Sequence, residues 1–66
     1  MTYQAHIRLL LPKFDPRHIE AFMRSEFGTL DSLSTTRFVE EAFLASECVN
    51  QGGVEMAELL AKSYGL

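Results

Sequence analysis

The residues of this chain best suited to chemistry are His6, His18, Cys48 and the adjacent carboxylates Glu40 and Glu41. His6, His18 and Cys48 are its only strong soft-metal ligands, and no two of them stand three or four residues apart. A zinc site normally contains such a close pair, because it fixes two ligands on one helical face or loop. The spacing therefore predicts no metal site. Cys48 would be a nucleophile only with its pKa lowered by a helix N-terminus or a basic neighbour. It falls instead near the end of a long helical pattern and directly after Glu47, where both influences oppose the thiolate, so Cys48 reads as a small buried apolar side chain. His18 reads as a solvated first-turn residue. Glu40 and Glu41 are consecutive, and consecutive helical residues point about 100° apart, so they do not make an acid/base pair. No catalytic, cofactor-binding or metal residue is assigned, and the chain reads as no enzyme and as needing no cofactor.

Charge narrows the partners. Residues 1–33 hold four basic and four acidic side chains, and residues 34–66 hold two basic and five acidic, so the net charge of −3 sits in the second half. Nucleic-acid binding draws most of its affinity from Lys and Arg against phosphate, so this distribution disfavours it. A helix-turn-helix around Gly28 fits poorly, because the connector is too long and the next helix soon reaches Glu40 and Glu41. A nucleic-acid-associated accessory protein, the second function class, would need Arg8, Lys13, Arg17 and Arg24 on one face. A third class, a small metal-binding or redox protein, would need a metal or a reactive Cys48. No apolar stretch approaches the roughly 20 residues of a membrane span, so no membrane partner is expected. The run Ile7-Arg8-Leu9-Leu10-Leu11 is short, interrupted by Arg8 and followed by Pro12, unlike a signal peptide. The lone Cys48 fits a reducing, cytoplasmic setting.

The elements that position these residues are helices. Thr2 can cap a first helix with Tyr3, Ile7, Leu10 and Leu11 on one side, ending near Leu10 or Leu11 before Pro12. The next start is the most explicit: Asp15 as cap, Pro16 where a missing N–H costs nothing, and Phe14 and Ile19 spaced for a hydrophobic staple. Ile19, Phe22, Met23 and Phe27 form its apolar stripe, with Glu20 and Arg24 paired on the wet side and Gly28 as a left-handed stop. Leu30 and Leu33 of the connector are expected to turn inward. Ser34 caps the longest helix, predicted to run to about Gln51, with Phe38, Val39, Ala42, Phe43, Ala45, Cys48 and Val49 on a broad apolar arc. Gly52-Gly53 breaks it. Val54, Met56, Ala57, Leu60, Ala61 and Tyr64 then supply the inward side of a last helix that closes on Gly65 and Leu66.

Residues 1–66 are thus expected to form one all-α domain, a compact four-helix (three to four helices) orthogonal or bundle-like arrangement, with helices packing on their sequence neighbours and the second and third supplying most of the core. Leu44 departs from this order, since it lies between Glu40 and Glu47 and away from the arc. Single exposed leucines are common. Yet so short a chain is hard pressed to cover both the arc and Leu44, and pairing through this helix would relieve that. Glu40, Leu44 and Glu47 are therefore the candidate protein interface.

The string Phe14-Asp15-Pro16-Arg17-His18-Ile19-Glu20-Ala21-Phe22-Met23-Arg24, the Gly28-Thr29-Leu30-Asp31 turn and the Ser63-Tyr64-Gly65-Leu66 segment resemble a group of uncharacterised short helical proteins of proteobacterial and phage or mobile-element genomes. The resemblance implies a bacterial or phage context and carries over no functional residue. The leading function is a non-enzymatic protein-binding or regulatory module whose partner is another protein or a second copy of itself as a homodimer.

Overall fold

The computed structural model describes residues 2–66. All three predicted side-chain caps are made. Thr2 Oγ1 accepts from the Ala5 N–H at 3.2 Å and starts α1, Tyr3–Leu10. Asp15 Oδ1 accepts from the Arg17 N–H at 3.0 Å ahead of α2, Pro16–Phe27. Ser34 Oγ accepts from the Arg37 N–H at 3.2 Å and opens α3, Thr35–Cys48. The last helix, α4, Val54–Ser63, closes as expected: Leu66 N–H reaches Ala61 O at 2.8 Å and Gly65 N–H reaches Lys62 O at 3.1 Å, the paired bonds of a Schellman end, with Gly65 at φ 75°.

Two turns differ in detail from the sequence reading. Gly28 has φ 74° and ψ −58°, and Thr29 N–H donates to Phe27 O at 2.8 Å. That is a three-residue γ-turn, tighter than a left-handed helical stop, and it is a conformation side chains rarely adopt. At the end of α3 the hydrogen bonding changes after Cys48, where the Val49 N–H divides between the Ala45 and Ser46 carbonyls, while the backbone leaves helical dihedrals only at Gln51, φ −85° and ψ 20°, where the helix was expected to end. A wide turn, Val49–Gly53, follows and is kinked by Gly52 at φ 105°.

The fold is all-α, with no strand among the described residues. Helix α2 is its centre and packs on α1, α3 and, most extensively, α4. The expectation of nearest-neighbour packing is corrected by that last contact. It follows from the α4 side of the interface: Ala57 and Ala61 are buried, and side chains that small let two helix backbones approach closely. Val54, Met56 and Tyr64, expected to face inward, are exposed. The core is one cluster, with Ile7, Ile19, Met23 and Leu30 as its largest fully buried side chains and Phe38, Ala42, Ala45 and Val49 arriving from α3 and its turn. Phe14, Phe22 and Leu33 pack at its margin. No described helix is long and apolar enough to cross a membrane.

The arc of α3 is narrower than the sequence suggested. Its middle is buried, but both ends, Phe43 and Cys48, lie at the surface. The accessible surface, 4356 Å², is nonetheless close to the roughly 4,200 Å² that size scaling gives a folded monomer of 7.5 kDa.

Candidate functional site

On α3, Glu40 and Glu47 stand four residues before and three after Leu44, which places all three on one face. All are exposed, Leu44 at 54%. Leu44 also forms one lip of a cavity of about 160 Å³ between α2 and α3. Phe22, Met23 and Phe27 line it from α2, and Ala45 and Cys48 from α3, with Glu26 and Glu41 at its edges. A space of this size is comparable to the roughly 150 Å³ cavity that admits one benzene, so it fits a single bulky side chain. It falls below the roughly 300 Å³ at which small-molecule pockets begin.

The walls are held by specific contacts. Arg37 Nε donates to Glu41 Oε1 at 2.8 Å, and the Arg37 guanidinium lies 5.8 Å from the centre of the Phe27 ring. This closes one end and neutralises Glu41. At the other end Phe22 abuts the Val49–Gly53 turn, its Cζ only 3.1 Å from where a β-carbon on Gly53 would lie. Glu26, Glu40 and Glu47 have no ion-pair partner among the described residues.

A second, polar cluster joins α1, α2 and the connector. Glu20, predicted to be on the wet side, is only 4% exposed, and Arg24 Nε and Nη2 meet its Oε2 at 3.0 and 2.9 Å. The Arg24 guanidinium lies 5.6 Å from the Tyr3 ring centre, and the Tyr3 hydroxyl donates to Asp31 Oδ1. That hydrogen bond raises the Tyr3 phenol above its ordinary pKa, because ionisation would break it and set two anions together. Helical spacing gave the Glu20–Arg24 pair but not the burial of Glu20 or the contact of Arg24 with Tyr3 of another helix. The depression beside this cluster is wide, about 640 Å³. Its polar groups satisfy one another, and no buried side-chain nitrogen or oxygen among the described residues lacks a partner. The arrangement ties α1 and the connector to α2.

The remaining candidates are dispersed. His6 stands edge-on to Phe38 with ring centres 6.1 Å apart. His18 turns back toward Asp15, Nε2 to Oδ2 3.7 Å, and its side chain is largely covered, contrary to the solvated role expected of it. Among the described residues no three His, Cys, Asp or Glu side chains are grouped to hold a metal ion. Cys48 is exposed, which corrects its expected burial: α4 packs chiefly on α2 and leaves that flank of α3 open. Of the four cations a nucleic-acid face would need, Arg17 is paired with Asp15 at 2.9 Å and Arg24 with Glu20. Comparison of the chain with protein-family models, curated proteins and solved structures finds no match.

Proposed function

We propose that this chain is a non-enzymatic protein-binding module that acts through the face of α3 bearing Glu40, Leu44 and Glu47 and through the adjoining groove against α2. The observation that carries the proposal is the half-exposed Leu44 at the lip of an apolar socket sized for one side chain. Interfaces concentrate their energy in such anchor-and-pocket contacts.

Charge separates the two kinds of partner. A homodimer paired symmetrically across Leu44 would set Glu40 and Glu47 of one copy against those of the other. Two carboxylates at roughly 6 Å repel by about 1–3 kcal/mol between water-like and surface-like dielectric, too close for physiological salt to screen fully. A different protein chain is thus the favoured partner. The test is affinity capture from the native host with three baits: wild type, Leu44→Glu, and Leu9→Glu as a control on the exposed side of α1. A protein retained by wild type and Leu9→Glu and lost with Leu44→Glu is expected. Equal retention by all three baits would remove this face from the function. Light scattering of the wild type addresses the homodimer, which a monomer mass at high concentration ends.

A further inference from the structure

The charge around the groove identifies the chemistry of its occupant. We propose that it takes a cationic amphipathic helix of a partner protein, which inserts one leucine-, methionine- or phenylalanine-sized side chain beside Leu44 and sets Lys or Arg against Glu26, Glu40 and Glu47. This rests on the protein-binding reading above.

Three observations converge on it. The socket of about 160 Å³ has room for one apolar anchor, and its floor is the buried Met23. Unpaired carboxylates flank it on two sides, Glu26 in its α2 wall and Glu40 and Glu47 on α3 beyond Leu44, on the side of that lip turned away from the cavity, while Arg37, the cation beside Phe27, is already held by Glu41. An acidic partner would meet uncompensated like charge there, and a basic one would be steered toward it. Finally, the groove lies between two helices, α2 and α3, and its lining is given by residues of both. A helix laid over the groove and the Leu44 lip presents its anchor with flanking residues three and four positions to either side, a spacing that sets cations near Glu26 on one side and near Glu40 and Glu47 on the other.

The test is selection of a phage-displayed library of helix-templated peptides, randomised in charge and apolarity, on the folded wild-type chain. Counter-selection uses Leu44→Glu and Cys48→Trp, the second filling the socket from an exposed position; circular dichroism checks that both fold. Enrichment of one bulky apolar residue flanked by Lys or Arg at three- and four-residue spacing is expected. Binding of a selected peptide should weaken about tenfold in Glu26→Gln/Glu40→Gln/Glu47→Gln at low salt, and the difference should shrink as salt is raised. Groove-dependent peptides with neutral or acidic flanks would overturn the cationic partner while leaving the binding face intact. Self-association through Leu44 would overturn it in favour of a second copy. If no enriched peptide depends on Leu44 or Cys48, both this inference and the reading beneath it fail.

Discussion

Gly53→Ala tests the packing that shapes the groove, because two opposed effects fix its sign. Gly53 has φ −80° and ψ 10°, which alanine adopts without strain. In open space the substitution would stabilise the fold by about 0.4–1 kcal/mol, by removing conformational freedom from the unfolded chain. The space is not open. A β-carbon there would lie 2.7 Å from the Cys48 carbonyl oxygen and 3.1 Å from Phe22 Cζ. The ring can yield by a few tenths of an ångström, but the carbonyl belongs to the last turn of α3. Relieving it must move the turn, an overpacking cost of about 1–3 kcal/mol. The net expectation is a loss of about 0.5–2 kcal/mol, which lowers the urea midpoint by about 0.5–2 M for an m-value near 1 kcal/mol/M. Adding Phe22→Leu should recover little, because the backbone contact remains, and a double-mutant cycle measures that coupling. A Gly53→Ala protein as stable as the wild type, or more so, would refute the close approach of Gly53 to the Cys48 carbonyl that ends α3.

Three further outcomes follow from the same contacts. Arg24→Ala should cost about 1–3 kcal/mol in denaturant melts, since Glu20, buried beside Arg24, would lose its cation, and a cost near zero would show the carboxylate to be solvated in the variant. Asp15→Ala should cost about 1 kcal/mol at pH 7. The Arg17 side chain, followed by its N–H and by His18, holds the Asp15 carboxyl below its ordinary 3.8, so this contribution is present above that value and disappears as pH falls through the lower folded-state value. The gap between wild type and variant should be constant from pH 5 to 7 and narrow below about pH 3.8, and a gap unchanged at pH 2.5 would remove the carboxylate charge as its source. Cys48 should react fully with a thiol reagent under native conditions; modification only in denaturant would return it to the core.

What was legible in the sequence was local. Thr2, Asp15 and Ser34 each cap by reaching a backbone N–H two or three residues ahead, so no distant contact can revise them. The same holds for the closure of α4 at Gly65. Fates set by distant packing were less legible. Phe43 and Cys48 belong to the apolar arc of α3 by helical angle alone, but α2, with Tyr3 and His6 of α1 over Phe38, covers its middle and its two edges emerge. Val54, Met56 and Tyr64 share an apolar side of α4, but the close approach to α2 is made through Ala57 and Ala61. Glu20 has the spacing of a surface ion pair, yet it is buried, and its partner Arg24 lies against Tyr3 from another helix. At the candidate site, Leu44 could be singled out because it breaks a one-dimensional pattern. The socket beside it could not, since Phe22 and Phe27 join Leu44 only once α2 lies against α3.

The central claim, that a partner engages the chain at the lip of the groove between α2 and α3, is tested most directly by photocrosslinking in the native host. A photoreactive phenylalanine analogue replaces Leu44 in one variant and Leu9, 73% exposed on α1, in another. Irradiation should give a discrete heavier adduct from position 44, containing a second protein, and none from position 9. No adduct at position 44, or the same adducts at both positions, would contradict it.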